Sequence, residues 1–111
     1  MREQSGLDAE ILQEMAEALG NSGERVEKAL ARLQESLSRI NQIKESLERE
    51  PKSMGSLSLE AMLEKEVRSY NFLRQEAMEQ FRWLIIHREA LGIRNHAQVA
   101  EQYPIPPPIK S

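Results

Sequence analysis

The chain has 111 residues with a formal charge of -3, no cysteine, 30% charged residues and 5% aromatic residues. This length allows one domain with one core, and the many Ala, Leu, Glu, Lys, Gln and Arg residues predict an all-α fold. The acidic balance without any basic run argues against nucleic-acid binding. The lack of cysteine excludes disulfides, cysteine nucleophiles and thiolate metal sites.

No stretch of the sequence has the composition of a targeting or membrane segment. The first six residues lack the apolar centre of a signal peptide, and no later run approaches the roughly 20 apolar residues that span a bilayer. We therefore expect a cytoplasmic protein that is not inserted in a membrane.

A first long helix is predicted over residues 8–49, with Asp8 as its N-cap and Pro51 just after its end. Apolar side chains recur at every seventh position, which is the pattern of a coiled-coil seam. This column consists of Leu12, Leu19, Val26, Leu33, Ile40 and Leu47. Gly20 and Gly23 are typical of a turn, but the seven-residue phase runs through them unchanged. We expect a continuous helix, and a break at these glycines is the alternative.

A second long helix is predicted over residues 58–91, after a connector at 50–57. Ser58 is the expected N-cap, with Leu57 and Met62 forming a hydrophobic staple across it. The apolar stripe of this helix repeats every seven residues through Leu63, Tyr70, Ala77, Leu84 and Leu91. Because the connector is short, the two helices should pack as an antiparallel hairpin.

The C-terminal part should turn back and end in an extended tail. Gly92 is typical of a glycine cap that ends the second helix. Asn95 is the expected N-cap of a short helix over 96–102, and the proline-rich tail over 103–111 suits the polyproline II conformation. We expect this tail to lie on its own domain. Docking of its Pro-x-x-Pro spacing in an aromatic groove of another protein is the alternative.

Specific cross-helix contacts follow if the connector is centred near Gly55. Leu84 then faces Val26, and Glu66, an acid within the apolar stripe, faces Lys44. We expect these two charged residues to form an ion pair that fixes the register. The same pairing places the two glycines of the first helix opposite bulky residues of the second, so we expect the glycines to make room for large side chains.

The second helix has more apolar surface than one partner helix can cover. Phe72, Trp83, Ile86 and Ala90 lie a third of a turn or more from the Leu84 stripe. We predict that they form an interface with the same face of another copy, giving a homodimer with four long helices in a bundle. The alternative is a monomer in which Val99 and Tyr103 of the short helix cover this face.

No catalytic, cofactor or metal site is indicated by the sequence. Neither His87 nor His96 has the spacing that places two metal ligands on one helix face, and Glu76 and Glu79 fit a solvated surface. We therefore predict a non-enzymatic, self-associating interaction or adaptor protein. Membrane-surface binding through Trp83 is disfavoured by the negative charge.

The alternative function is a ligand-binding protein or enzyme. Its anion site would form between subunits around His87, Arg88, Arg94 and His96, since two cations and two histidines suit an anionic group.

The run from Arg88 to His96, with Val99, Tyr103 and Ile105-Pro106 after it, resembles the C-terminal signature of a family of small uncharacterised bacterial helical proteins, a domain of unknown function. The resemblance is confined to the C-terminal third of the chain. It implies a bacterial cytoplasmic helical protein and some role for Arg88, Arg94 and His96. No catalytic residue is implied, because no activity accompanies the family.

Overall fold

The computed structural model describes residues 2–49 and 54–110. Two long helices, α1 (Arg2–Arg49) and α2 (Met54–Ala90), pack against each other, and a short helix, α3 (Ala97–Gln102), follows. Ser22 near the start of α1 contacts His87 near the end of α2, and Ser36 further along α1 contacts Glu66 earlier in α2. The hairpin is therefore antiparallel, as predicted. The molecule measures 77 × 21 × 17 Å, and its long dimension matches a 48-residue helix of about 72 Å.

Both long helices begin earlier than predicted. α1 begins at Arg2 and α2 at Met54, so the N-caps assigned to Asp8 and Ser58 are wrong. Extension of a helix that already exists costs only the propensity of each added residue, and the first N–H groups of a helix need no intrahelical partner. The staple is also wrong, because Leu57 and Met62 are 62% and 52% exposed. The helix-ending role predicted for residue 51 lies outside the described residues.

α1 continues through Gly20 and Gly23 without a break, as predicted. Each glycine costs a helix about 1 kcal/mol relative to alanine. The residues around them supply packing that outweighs this cost, since Ser22 and Val26 are both buried. The structure does not place bulky α2 side chains against the glycines. Nothing lies within 4 Å of a Cβ built at Gly20, and a Cβ at Gly23 would meet only the Tyr103 hydroxyl at 3.9 Å.

The core follows the two predicted apolar columns. One cluster of buried residues consists of Ala29, Leu33, Ile40, Val67, Tyr70 and Ala77, and a second of Val26, Leu84 and Val99. Tyr70 and Leu33 are the largest fully buried side chains, each 1% exposed. The predicted contact of Leu84 with Val26 is confirmed. Val99 of α3 completes the second cluster, so the short helix belongs to the core of the domain.

The predicted Lys44–Glu66 ion pair is wrong. The Glu66 carboxylate instead accepts hydrogen bonds from Arg39 Nε at 2.7 Å and from the buried Ser36 hydroxyl at 3.0 Å. Arg39 lies five residues before Lys44 in α1. Near the connector end the residues that face α2 therefore lie earlier in α1 than predicted, whereas at the other end Leu84 packs with Val26 as predicted.

The chain reverses direction after α2 at a glycine cap, as predicted. Gly92 has φ 84°, and the N–H groups of Gly92 and Ile93 donate to the carbonyls of Glu89 at 2.9 Å and Arg88 at 3.0 Å. This is the hydrogen-bond pattern of a Schellman motif. The N-cap position of α3 is His96 rather than Asn95. The Asn95 side chain still accepts a hydrogen bond from the Ala97 N–H, at 3.0 Å.

The proline-rich tail lies on its own domain, as predicted. Its carbonyls accept hydrogen bonds from three α2 side chains: Tyr70 Oη to Pro107 O at 3.1 Å, Arg74 Nε to Pro106 O at 2.8 Å and Asn71 Nδ2 to Ile109 O at 2.8 Å. Asn71 Oδ1 also accepts from the Ile109 N–H at 3.0 Å. The C-terminal segment, residues 93–110, therefore fills one of the two grooves between α1 and α2. Neither long helix of the described chain has the length and apolarity needed to cross a membrane.

Candidate functional site

The four residues predicted to form an interface share one open face of α2. Phe72, Trp83 and Ile86 are 64%, 47% and 44% exposed, and Ala90 is also exposed. Their spacing of eleven, three and four residues keeps them on one side of the helix. We call these four residues the Trp83 surface. The Trp83 surface thus presents two exposed aromatic side chains, Trp83 and Phe72.

The short C-terminal helix does not cover the Trp83 surface. Val99 and Tyr103 pack with Phe81, Leu84 and Ile85, on the other side of α2. The predicted alternative in which this helix covers Trp83 is therefore wrong. Both sides of α2 carry apolar residues, and the reversal at Gly92 directs the chain to the side opposite Trp83.

A basic groove runs beside the Trp83 surface on the open side of the hairpin. It is a depression of about 190 Å³ lined by Arg25, Lys28, Ala29, Arg32, Glu76 and Gln80. On α2, Trp83 follows Glu76 by seven residues, so it lies on the same side of the helix as the groove lining. The α1 side contributes three cations and the α2 side one carboxylate, which makes the groove electropositive.

His87 follows Gln80 of the groove lining by seven residues and lies on the same side of α2. Its Nδ1 shares a hydrogen bond with the Ser22 hydroxyl, and its ring lies 6.0 Å from the Trp83 ring between centroids. A serine beside a histidine is the arrangement of an activated nucleophile. Ser22 is only 2% exposed between the two helices, however, so a substrate cannot reach its hydroxyl in this conformation. The pair satisfies two buried polar groups and fixes the register of α1 on α2.

Arg88 and His96 form a separate cluster at the turn after α2. Arg88 donates from Nε to His96 Nδ1 at 3.1 Å and from Nη2 to the Asn95 carbonyl at 3.0 Å. Because arginine only donates, Nδ1 of His96 is the acceptor and Nε2 carries the proton. This buried Nε2 has no hydrogen-bond partner within the described part of the chain, and the Glu89 carboxylate is 3.8 Å away.

Two of the four residues predicted for an anion site thus meet within one chain. Arg88 contacts His96, whereas His87 contacts Ser22 and Trp83. Arg94 is exposed. Across residues 2–49 and 54–110, no group of three or more His, Asp or Glu side chains has the geometry of a metal site.

The structure also shows a feature that the sequence reasoning missed. Ser22 contacts His87, and α2 ends three residues later at Ala90, so residues 2–18 of α1 lie beyond the end of α2. We call this segment the α1 overhang. At 1.5 Å per residue it is about 25 Å long. Ile11 and Leu12 on it are 46% and 56% exposed. The unequal lengths of the two predicted helices were the signal for it.

Comparisons with protein-family models, with curated proteins and with solved structures found no match for this chain. The resemblance of the segment from Arg88 to His96 to a bacterial family therefore stays a prediction.

Proposed function

We propose that this chain is a helical interaction protein, without catalytic activity, that works as a homodimer held together through the Trp83 surface. The observation that carries the proposal is the exposure of Trp83, Phe72 and Ile86 on one face of a packed helix. The chain has one tryptophan and two phenylalanines, and its tryptophan lies outside the core. Exposed apolar side chains that share one face and are bordered by charge mark interaction sites on soluble proteins.

The surroundings of the Trp83 surface fit an interface. Glu79 and Arg82 beside it form an ion pair of 2.9 Å and are both more than half exposed. Interfaces combine an aromatic centre with a polar rim, and tryptophan is enriched among the residues that contribute most binding energy. The edge of the Trp83 surface is therefore polar, and its centre offers an aromatic anchor for a partner.

The alternative, an anion-binding protein, draws on one observation. The Nε2 atom of His96 is buried and lacks a hydrogen-bond partner among the described residues. The guanidinium of Arg88 is already used by His96 and Asn95, which favours a structural role for the cluster. Titration with inorganic phosphate, followed by the histidine NMR signals, tests this alternative. A His96 signal that moves at millimolar phosphate in the wild type, but not in Arg88→Gln, favours ligand binding.

Sedimentation equilibrium tests the proposed homodimer. We expect the wild type to be a dimer at tens of micromolar and Trp83→Glu to be a monomer, because the variant places an unpaired charge in the interface. Leu57→Glu is the matched control, since Leu57 is another exposed apolar residue of α2, at the connector end. It should remain dimeric. A wild type that sediments as a folded monomer at this concentration contradicts the proposal.

A further inference from the structure

We infer that the α1 overhang of one copy occupies the basic groove and Trp83 surface of a second copy, and that the second copy returns the same contact. This inference rests on the proposed homodimer and specifies what meets what within it. The overhang and the Trp83 surface are two regions of the described chain where large apolar side chains are left exposed. Three observations carry the assignment: the apolar pattern of the overhang, its charge and its length.

The overhang continues a face that is buried elsewhere in α1. Leu12 is one repeat before Leu19, which packs on the second core cluster, and two repeats before Val26, which is 0% exposed. Within the hairpin this column packs against α2. Beyond Ala90 the same face has lost its partner helix, so a helix surface like that of α2 is the occupant it fits.

The apolar spacings of the two regions match. Ile11 and Met15 are four residues apart on the overhang, and Trp83 and Ile86 are three residues apart on α2. Both spacings keep the pair on one helix face, about one turn apart. Ile11 can therefore lie beside Trp83 of the second copy while Met15 lies beside Ile86.

The charges select this contact over a contact between two overhangs. Every charged residue between positions 8 and 18 is acidic: Asp8, Glu10, Glu14 and Glu17. Three of them, at 10, 14 and 17, follow one flank of the helix beside Ile11. Two overhangs side by side would place acid against acid. The basic groove instead offers Arg25, Lys28 and Arg32 next to the Trp83 surface, so the acidic flank meets cations there.

The length of the overhang matches the length of the α2 stretch that it would contact. The overhang is about 25 Å long, and the stretch of α2 from Glu76 to Ala90 is about 21 Å at the same rise per residue. With the two hairpins antiparallel, each overhang lies along the groove of the other, and every level of the overlap contains three helices. Stable interfaces of standard size bury about 1,600 Å² in total, so each of the two reciprocal contacts has to bury about half of this area. Because the two contacts are related by a two-fold axis, the assembly is a closed dimer and does not extend into a filament.

Cross-linking of single-cysteine variants tests the inference, because the natural chain has no cysteine. Asp8→Cys marks the overhang, Gln80→Cys marks the basic groove, and Gln42→Cys, an exposed glutamine near the connector, is the control. The variants are mixed in pairs, one chain with a size tag, and treated with a short bis-maleimide reagent. We expect a product from the mixture of Asp8→Cys with Gln80→Cys. Neither variant alone, nor any mixture with Gln42→Cys, should give one.

A charge exchange gives an independent measurement. Glu14→Lys and Arg25→Glu should each raise the dissociation constant of the dimer by about ten-fold, and the double variant should restore it, because the pair is re-formed with the signs reversed. Circular dichroism shows whether each variant keeps its helix content.

The two proposals fail in different ways. A wild type that is monomeric by sedimentation defeats the homodimer and this inference together. A dimer that cross-links Gln80→Cys to itself places the two Trp83 surfaces face to face and overturns the inference alone. A dimer that cross-links Asp8→Cys to itself pairs the two overhangs, and it overturns the inference in the same way.

Discussion

Asn71 fixes the end of the C-terminal segment, and its replacement by alanine should measure what that attachment contributes. Its amide makes two hydrogen bonds with the backbone of Ile109, at 2.8 and 3.0 Å. A hydrogen bond contributes about 0.5–1.5 kcal/mol net, so loss of both should cost about 1–3 kcal/mol. Alanine is the better helix former by about 0.5 kcal/mol, which offsets part of this loss. We expect a net decrease in the free energy of unfolding.

The assay is equilibrium denaturation by urea, followed by circular dichroism. Asn41→Ala is the matched control, because Asn41 is an exposed asparagine in the interior of α1 and gains the same helix propensity. The free energy of unfolding should differ between the two variants by about 1–3 kcal/mol. Amide exchange at Ile109 should also become faster in Asn71→Ala alone. Equal stability of the two variants would refute the reasoning, since it would mean that the segment is not held by these bonds.

Three further predictions follow from the structure. Gly20→Ala should raise the free energy of unfolding by up to about 1 kcal/mol, because open space surrounds the new Cβ. Gly92→Ala should lower the free energy of unfolding, because Gly92 has a positive φ. Thermal melts of both variants test these opposite signs. Burial, and then the Glu27 carboxylate that accepts the hydroxyl hydrogen bond at 2.9 Å, raise the pKa of Tyr103 above its usual 10.0. The stability from this contact should be present below pH 10 and be lost as pH rises through the folded-state pKa of Tyr103. Ultraviolet titration of the wild type against Tyr103→Phe would detect the raised pKa. Arg39→Ala should cost about 1 kcal/mol or less, because the side chain of Arg39 is half exposed, and urea denaturation measures this cost.

The main lines of the fold were predictable because they depend on local rules. The seven-residue columns gave the buried faces of both helices, including Ile40 and Tyr70, since burial on a helix follows its periodicity. The cap at Gly92 was predictable because few residues other than glycine adopt its positive φ. The phase of the apolar column across Gly20 and Gly23 correctly outweighed the turn preference of two glycines.

The errors concern relations between elements, which local rules do not determine. The partner of Glu66 depends on which α1 side chains reach it across the hairpin, and Ser36 and Arg39 do so in place of Lys44. The position of α3 depends on which of two grooves the chain enters after the turn. Apolar residues lie on both sides of α2 and suit Val99 and Tyr103, so the sequence alone left both choices open.

The candidate site divides in the same way. Phe72, Trp83, Ile86 and Ala90 were predictable as one face, because they share an element and its periodicity. The basic groove was not, since it requires three cations of α1 to be aligned with Gln80 of α2 across the hairpin. The overhang likewise becomes visible only when the contact at His87 shows where α2 ends relative to α1.

The prolines of the tail affect how this molecule behaves at high concentration. An extended segment that lies on a protein surface normally presents alternating donors and acceptors, and a strand from another molecule can add to such an edge. Pro104, Pro106, Pro107 and Pro108 have no N–H group. The tail therefore gives its carbonyls to α2 and offers an incoming strand almost no donors. The prolines therefore protect the C-terminal segment against aggregation by strand addition.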